Sequence, residues 1–161
     1  MITIIDYGVW NLGSVKNMLR KAGFESELAS DIASAEKASK IILPGIGAFD
    51  HCMQQFNASG LRPLVTRKVL EEKVPLLGIC VGLQMLMEQS EEGTEQGLGW
   101  IPGKVVKFRR DKLENLKIPH MGWTDVVPSK HSALTENLGD QLRFYFVHSF
   151  HVEAGHPDDE L

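Results

Sequence analysis

A cysteine between two glycines is the residue of this sequence best suited to chemistry. Residues 74–79 are an apolar run, a Gly-x-Cys-x-Gly motif occupies residues 78–82, and a helical pattern follows. A nucleophile on a tight strand-to-helix turn stands clear of the sheet, and such a turn needs flanking residues with almost no side chain. The pattern therefore predicts Cys80 as the nucleophile of an acyl-transfer site. Cys52 lies in a helical pattern without such a turn, so we interpret it as a packing residue.

A second glycine-containing segment, Pro44-Gly45-Ile46-Gly47, follows the apolar residues 40–43. Alone it indicates an ordinary turn. Glycines just beyond a strand end also allow backbone to approach a ligand closely. Paired with the cysteine motif, the segment is predicted to supply a second N–H group for an oxyanion.

A cysteine nucleophile needs a base, and the sequence offers several histidines without selecting one by spacing. His131 lies in a polar stretch and His51 at the start of a helical pattern, so both are expected at the surface. The remaining candidates are His120, His148, His151 and His156.

Strand and helix patterns alternate over the first half of the chain. Strands are predicted at residues 2–5, 24–29, 40–43 and 74–79, and helices at 11–22 (capped by Asn11), 34–38, 48–57, 61–72 and 81–88. Such alternation indicates a parallel sheet with helices on both faces, with sites at the carboxyl ends of its strands. Beyond residue 88 the prediction is a surface loop at 90–99 and strands at 105–108, 124–127 and 142–147. No closing helix or strand is expected after Val147.

Composition narrows the class of protein. The 161 residues suit one domain, predicted to span 1–161, and the net charge of −4 argues against a nucleic-acid binder. The basic run 104–112 is interpreted as a solvated strand end and turn. No membrane span or signal peptide is expected, so the cysteines are predicted to be reduced, in the cytoplasm. No metal spacing occurs, and no cofactor is predicted.

Residues 78–84 resemble the nucleophile motif of class I, triad-type glutamine amidotransferases, and residues 44–47 resemble their oxyanion strand. Three further stretches, 6–15, 119–123 and 145–150, resemble the glutaminase subunits of imidazole glycerol phosphate synthases. The likeness runs to about Val152. It implies an α/β, flavodoxin-like three-layer fold with a mostly parallel central sheet, lacking its last elements here.

The resemblance also implies a function. Glutamine would be hydrolysed through a cysteinyl thioester at Cys80, and ammonia would pass to a (β/α)₈-barrel cyclase in a heterodimer of histidine biosynthesis. The site residues carried over by position fall into three groups. The oxyanion hole would be formed by the N–H groups of Ile46 and Val81, with Gly45 and Gly47 beside them. The glutamine pocket would be lined by Gln84, His148, Ser149 and Phe150. The partner interface would include Asn11 and Trp123.

The sequence departs from the family in one respect that concerns catalysis. The family completes its triad with a histidine and a glutamate in a Phe-His-Pro-Glu type motif. His156-Pro157-Asp158 comes only eight residues after His148 and lacks a preceding apolar strand, so it does not qualify. We therefore expect a truncated sequence whose catalytic histidine and glutamate lie beyond Leu161, and no efficient glutaminase activity from it. Smaller departures are Trp10, at a usually small position, and Thr124, where Asn is usual.

Two other functions fit the same motifs. One is a glutaminase that feeds ammonia to a cell-surface sugar amidotransferase. The other is a non-catalytic subunit that only binds a partner.

Overall fold

The computed structural model describes residues 1–9, 11–109, 117–139 and 141–161. Trp10 and the basic residues Arg110 and Lys112 lie outside them. The elements occur in the order β1 (Ile2–Ile5), α1 (Leu12–Lys21), β2 (Ser26–Ala29), α2 (Ile32–Glu36), β3 (Lys40–Gly45), α3 (Phe49–Ala58), α4 (Arg62–Leu70), β4 (Leu76–Cys80), α5 (Val81–Gln84), β5 (Gln89–Ser90), β6 (Gly103–Lys107), β7 (His120–Val126), β8 (Leu142–His148) and β9 (Phe150–Ala154). A 3₁₀ turn, Pro157–Asp159, follows β9.

The predicted parallel sheet is confirmed. Its four strands are ordered β2-β1-β3-β4 and every neighbouring pair is parallel. The strands are short apolar runs with β-branched residues, and β1 and β3 are buried almost throughout, as expected for strands covered on both faces. Because β3 and β4 are neighbours, with Gly45 opposite Cys80, their carboxyl ends lie side by side. The two glycine-containing motifs therefore meet at one edge of the sheet.

The core fills the space between this sheet and its helices. Its largest fully buried side chains come from β1, β3 and α3 together with the segment after α5, and include Ile4, Ile5, Leu43, Phe49, Phe56 and Met85. Burial of each such side chain contributes on the order of 1.5–3 kcal/mol. The α3 side chain of Cys52 is fully buried in this core, so its interpretation as a packing residue is confirmed.

The region after residue 88 contains more strand than the sequence predicted. β9 was not expected, yet it pairs antiparallel with β6 over five residues, from Gly103 opposite Ala154 to Lys107 opposite Phe150. The short strand β5 lies parallel to β6 on its other edge. β7 begins at His120, four residues before its predicted start, because it forms an antiparallel hairpin with the whole of β8.

The helix predicted at 81–88 is shorter than expected, and it ends at Gln84. The carbonyls of Met85, Leu86 and Met87, which a longer helix would use internally, instead accept N–H groups from the loop at residues 98–101. Asn11 precedes α1 as predicted but in a left-handed conformation, and its side chain makes no capping hydrogen bond. Within the described residues, no helix is long and apolar enough to cross a bilayer.

Candidate active site

Cys80 lies on the strand-to-helix turn that the sequence predicted. It is the last residue of β4 and immediately precedes α5, with φ +56° and ψ −120°. A residue with a side chain rarely adopts this conformation, which costs on the order of 1–3 kcal/mol and occurs mainly at functional sites. The cysteine is solvent-exposed despite its position at the sheet edge. The turn thus presents the thiol to a ligand.

Three glycines allow the backbones around this turn to touch. A Cβ on Gly82 would lie 2.0 Å from the carbonyl oxygen of Leu43, and one on Gly45 would lie 2.2 Å from the Gly82 nitrogen. A Cβ on Gly78 would lie 2.6 Å from the Cα of Leu83. Backbone atoms cannot yield as flexible side chains do. The glycines are therefore needed to bring the end of β3 against the start of α5.

Two buried side chains hold the backbone at the end of β3. The Tyr7 hydroxyl donates to the Pro44 carbonyl, and the Cys52 thiol donates to the Ile46 carbonyl at 3.3 Å. Burial raises the pKa of both Tyr7 and Cys52, so both groups keep their protons and act as donors. The peptide that carries the Ile46 N–H is thus flanked on each side by an anchored carbonyl. Sequence reasoning missed this role of Tyr7.

A cavity of about 600 Å³ opens in front of Cys80. It brings together nearly all the residues predicted for the site, namely Asn11, Gly45, Ile46, Gly47, Cys80, Val81, Gln84, His148, Ser149 and Phe150. Trp123 is not among its lining residues and lies 64% exposed on the β7–β8 hairpin. Glu92 lines the cavity without having been predicted; its carboxylate accepts the N–H of Phe49 at the start of α3.

Among the described residues, His148 is the histidine that lines this cavity, and both its ring nitrogens are occupied. Nδ1 lies 2.8 Å from the Phe150 carbonyl oxygen, and Nε2 lies 3.1 Å from Nδ1 of His120. His120 in turn places Nε2 2.9 Å from the Thr124 hydroxyl. Neither ring therefore has a nitrogen free to take the proton of Cys80.

His51, His131, His151 and His156 do not line this cavity, although His151 lines a neighbouring cavity of about 380 Å³ that Cys80 also lines. His51 is exposed on α3, and His131 is 81% exposed in its loop, as predicted. His156 is exposed beside the 3₁₀ turn, where its Nδ1 accepts the N–H of Asp158. His151 stacks on Phe108 with 4.5 Å between ring centroids. No group of three potential metal ligands occurs among the described residues.

Comparison with known proteins identifies the family. The model of the family described as glutamine amidotransferase class-I matches residues 3–160. The chain is 46% identical over 162 residues to the imidazole glycerol phosphate synthase subunit HisH of Bdellovibrio bacteriovorus, covering 100% of this chain and 79% of that protein. It is 50% identical over 153 residues to the subunit HisH 2 of Methanococcus maripaludis, covering 94% of this chain and 74% of that protein.

Solved structures share the fold at lower identity. A putative GMP synthase protein of Thermoplasma acidophilum superposes with a TM-score of 0.63 at 22% identity, covering 98% of this chain and 68% of that one. A glutamine amidotransferase superposes with a TM-score of 0.64 at 20% identity, covering 91% of this chain and 71% of that one. These matches confirm the predicted three-layer fold with its parallel central sheet. Together with the sequence matches they show that the chain belongs to the class I glutamine amidotransferase family and, within it, to the HisH subunits of imidazole glycerol phosphate synthase.

Proposed function

We propose that Cys80 of this chain forms the thioester in the hydrolysis of L-glutamine, and that the ammonia is supplied to a cyclase partner that makes imidazole glycerol phosphate in histidine biosynthesis. The observation that supports it most strongly is the conformation of Cys80, φ +56° on a strand-to-helix turn at the mouth of a cavity. The HisH relatives favour this function over a sugar amidotransferase or a non-catalytic subunit.

In the proposed reaction, the Cys80 sulfur attacks the side-chain carbonyl carbon of glutamine. The carbonyl oxygen becomes an oxyanion, for which the N–H groups of Val81 and Ile46 are the proposed donors. Val81 is the first residue of α5, where N–H groups have no acceptor within the helix. The tetrahedral intermediate collapses as its C–N bond breaks, the departing nitrogen takes up a proton and leaves as ammonia, and a thioester remains. Water then attacks the thioester and gives glutamate and the free thiol.

The general base of this reaction is assigned to neither His120 nor His148, because the ring nitrogens of both are occupied. The family resemblance implies a separate histidine–glutamate pair for this step. We assign His148 instead, together with Gln84, Ser149 and Phe150, to the glutamine side of the cavity.

The proposed docking surface for the cyclase is the face of the β7–β8 hairpin that adjoins the Cys80 cavity, which Val147 also lines. Alternating strand residues place four large side chains on that face as two cross-strand pairs, Met121 with Val147 and Trp123 with Tyr145. All four are more than half exposed, and the two aromatic rings are in edge contact with 5.7 Å between centroids. An exposed apolar patch with paired aromatic residues is typical of a protein interface. Asn11, at the cavity, is assigned to the ammonia path.

The nucleophile is tested with a diazo-ketone analogue of glutamine, which forms a thioether with an activated thiol. We expect peptide mass spectrometry to find the label on Cys80 and none on Cys52, which is fully buried. Prior incubation with glutamine should slow the labelling. Equal labelling of the two cysteines, or labelling of Cys52 alone, would refute the assignment.

The partner is tested by reconstitution with the cyclase. A Cys80→Ala variant should support synthesis of imidazole glycerol phosphate from added ammonium salt and none from glutamine. If the variant also abolishes the ammonium-dependent reaction, the proposal that this chain only supplies ammonia and the cyclase performs the synthesis is wrong.

A further inference from the structure

Four groups on three strands from two sheets form a row of hydrogen bonds beside the cavity. They are the Thr124 hydroxyl on β7, the His120 ring on β7, the His148 ring on β8 and the Phe150 carbonyl at the start of β9. The successive distances are 2.9 Å, 3.1 Å and 2.8 Å, all within hydrogen-bond range. We call this row the histidine chain.

The Phe150 carbonyl, the last group of the histidine chain, determines which atom donates in each hydrogen bond of the row. A backbone carbonyl can only accept, so Nδ1 of His148 must carry a proton. In the neutral ring Nε2 is then an acceptor, and Nδ1 of His120 must donate to it. His120 in turn accepts at Nε2, so the Thr124 hydroxyl is the donor there. Each link therefore donates toward Phe150, and both neutral rings carry their proton on Nδ1.

Aromatic rings hold both imidazoles in the orientation that this pattern needs. The ring of Phe146 is stacked on His120 with 4.8 Å between centroids and 24° between planes. Phe108 makes an edge contact with His148 at 5.1 Å. Rotation of either imidazole would require movement of these neighbours. The row is thus held by packing as well as by hydrogen bonds.

The histidine chain ends at a bend of the backbone that lines the Cys80 cavity. Ser149 separates β8 from β9, and its carbonyl accepts the N–H of Phe108 at 3.0 Å. The next carbonyl, that of Phe150, accepts from His148. Both carbonyls of the bend are therefore fixed, one by the backbone that follows β6 and the other by the histidine chain.

We propose that His120 and His148, both as Nδ1–H tautomers, are positioning residues that fix the Ser149–Phe150 backbone on the glutamine side of the cavity. His120 does not itself line the Cys80 cavity and acts through His148. The glutamine-binding part of the inference rests on the proposed function, whereas the assignment of the tautomers does not.

The tautomers are tested by two-bond ¹H–¹⁵N correlation spectra of the full chain, recorded at about pH 8. We expect a protonated-type Nδ1 and an unprotonated Nε2 for both His120 and His148. The exposed His51 and His131 are internal controls and should show the Nε2–H form that free histidine favours in water. Signals are assigned with His120→Asn and His120→Gln. An Nε2–H tautomer at either His120 or His148 would overturn the proposal.

The positioning role is tested with the same two variants at His120. The amide of Asn lies near the place of Nδ1 and retains a donor toward His148, whereas the longer Gln places its amide near Nε2 and loses it. Labelling of Cys80 by the glutamine analogue should slow about fivefold in His120→Gln, the effect of one hydrogen bond of roughly 1 kcal/mol, and should keep more than half its rate in His120→Asn.

Labelling of Cys80 by iodoacetamide, which does not use a glutamine pocket, is the matched control and should proceed at the same rate in both variants. Equal slowing by Asn and Gln, or parallel slowing of iodoacetamide, would contradict positioning by the histidine chain. If the glutamine analogue fails to label even the unmodified chain, the proposed function falls, while the tautomer spectra still decide the hydrogen-bond pattern.

Discussion

The two sides of the Cys80 cavity are held together by different forces. On one side, residues 44–47 and 80–84 form a sheet wall in which backbone touches backbone through Gly45 and Gly82. On the other, residues 147–150 form a hairpin wall held by side-chain hydrogen bonds and aromatic contacts. The sheet wall rests on β3, which is buried at every residue but Lys40, and on β4, which is half-buried to exposed. β7 and β8 have one buried residue, Leu142, in the part of the chain that the structure describes. Close backbone packing thus holds the position of Cys80, and hydrogen bonds between side chains and backbone hold the position of the hairpin wall on the glutamine side.

The largest effect is expected from a single methyl group in the sheet wall. Gly82→Ala would place Cβ 2.0 Å from the Leu43 carbonyl oxygen and should lower the free energy of unfolding by at least about 3 kcal/mol. Thermal or urea denaturation measures it. The control is Gly13→Ala on α1, where no atom lies within 4 Å and helix propensity predicts a gain of roughly 0.5–1 kcal/mol. Similar stability of the two variants would show that the backbone contact at Gly82 does not exclude a side chain, and the sheet wall would then not be fixed by steric exclusion.

On the hairpin side, truncation of an exposed aromatic residue should affect binding and not folding. Trp123→Ala is expected to weaken association with the cyclase by about 2 kcal/mol, as for a central interface aromatic, and to change unfolding by less than about 0.5 kcal/mol. Calorimetry with the purified cyclase measures the association. Leu134→Ala, at a residue that is 69% exposed in the loop between β7 and β8 and away from the proposed docking face, should change neither quantity. Unchanged association in Trp123→Ala would remove the hairpin face from the interface.

Substitution of the nucleophile by glycine is expected to stabilise the protein, by less than Gly82→Ala destabilises it. Cys80→Gly should raise the free energy of unfolding by about 1 kcal/mol, because glycine accepts φ +56° without the cost that a side chain incurs. Cys80→Ala removes the thiol and keeps that cost, so it should leave stability nearly unchanged. Denaturation of the three proteins side by side tests it. No gain for glycine over alanine would mean that the turn is not strained.

The smallest effect concerns the loop beside the sheet wall. Asp50, at the start of α3, accepts the N–H groups of Thr94 and Glu95, and these bonds hold its pKa below the usual range. A lowered folded-state pKa means that the stabilisation is present above the unfolded pKa of about 3.9 and is lost as pH falls through the folded value. The difference in Tm between the wild type and Asp50→Asn should therefore be constant at neutral pH and shrink as the pH falls below about 3.9.

Other exposed carboxylates have lowered pKa values as well, among them Asp31 and Glu91, so both proteins lose stability in acid. The difference between the curves isolates Asp50. A difference that persists unchanged into strong acid would show that ionisation of Asp50 does not contribute to stability.

The sheet wall could be predicted from the sequence because its determinants are local. Apolar runs define β3 and β4, and the glycines around Cys80 have few other uses at such spacing. β9 could not be predicted, since only its pairing with β6, almost fifty residues earlier, makes Phe150–Ala154 a strand. The same holds for the histidine chain. His120 and His148 are 28 residues apart, and the hairpin register that makes them partners is invisible to spacing.

The role of Tyr7 was missed for a related reason. Its hydroxyl reaches the Pro44 carbonyl 37 residues away, and nothing in the local pattern distinguishes it from any tyrosine after a strand. The burial of Tyr7, once known, indicates a hydrogen-bond acceptor for its hydroxyl, because a buried hydroxyl needs a hydrogen bond.

The contact of Gly82 with the Leu43 carbonyl has a consequence for how such a site can evolve. Because backbone packs directly on backbone here, no side chain lies between the nucleophile and the oxyanion segment. Substitutions therefore cannot change the distance between these two segments in small steps. A substitution at this contact either leaves the fold intact or prevents folding. Variation in substrate preference is then confined to the opposite side, where an exchanged side chain can shift a hydrogen bond by a few tenths of an ångström without disturbing the thiol.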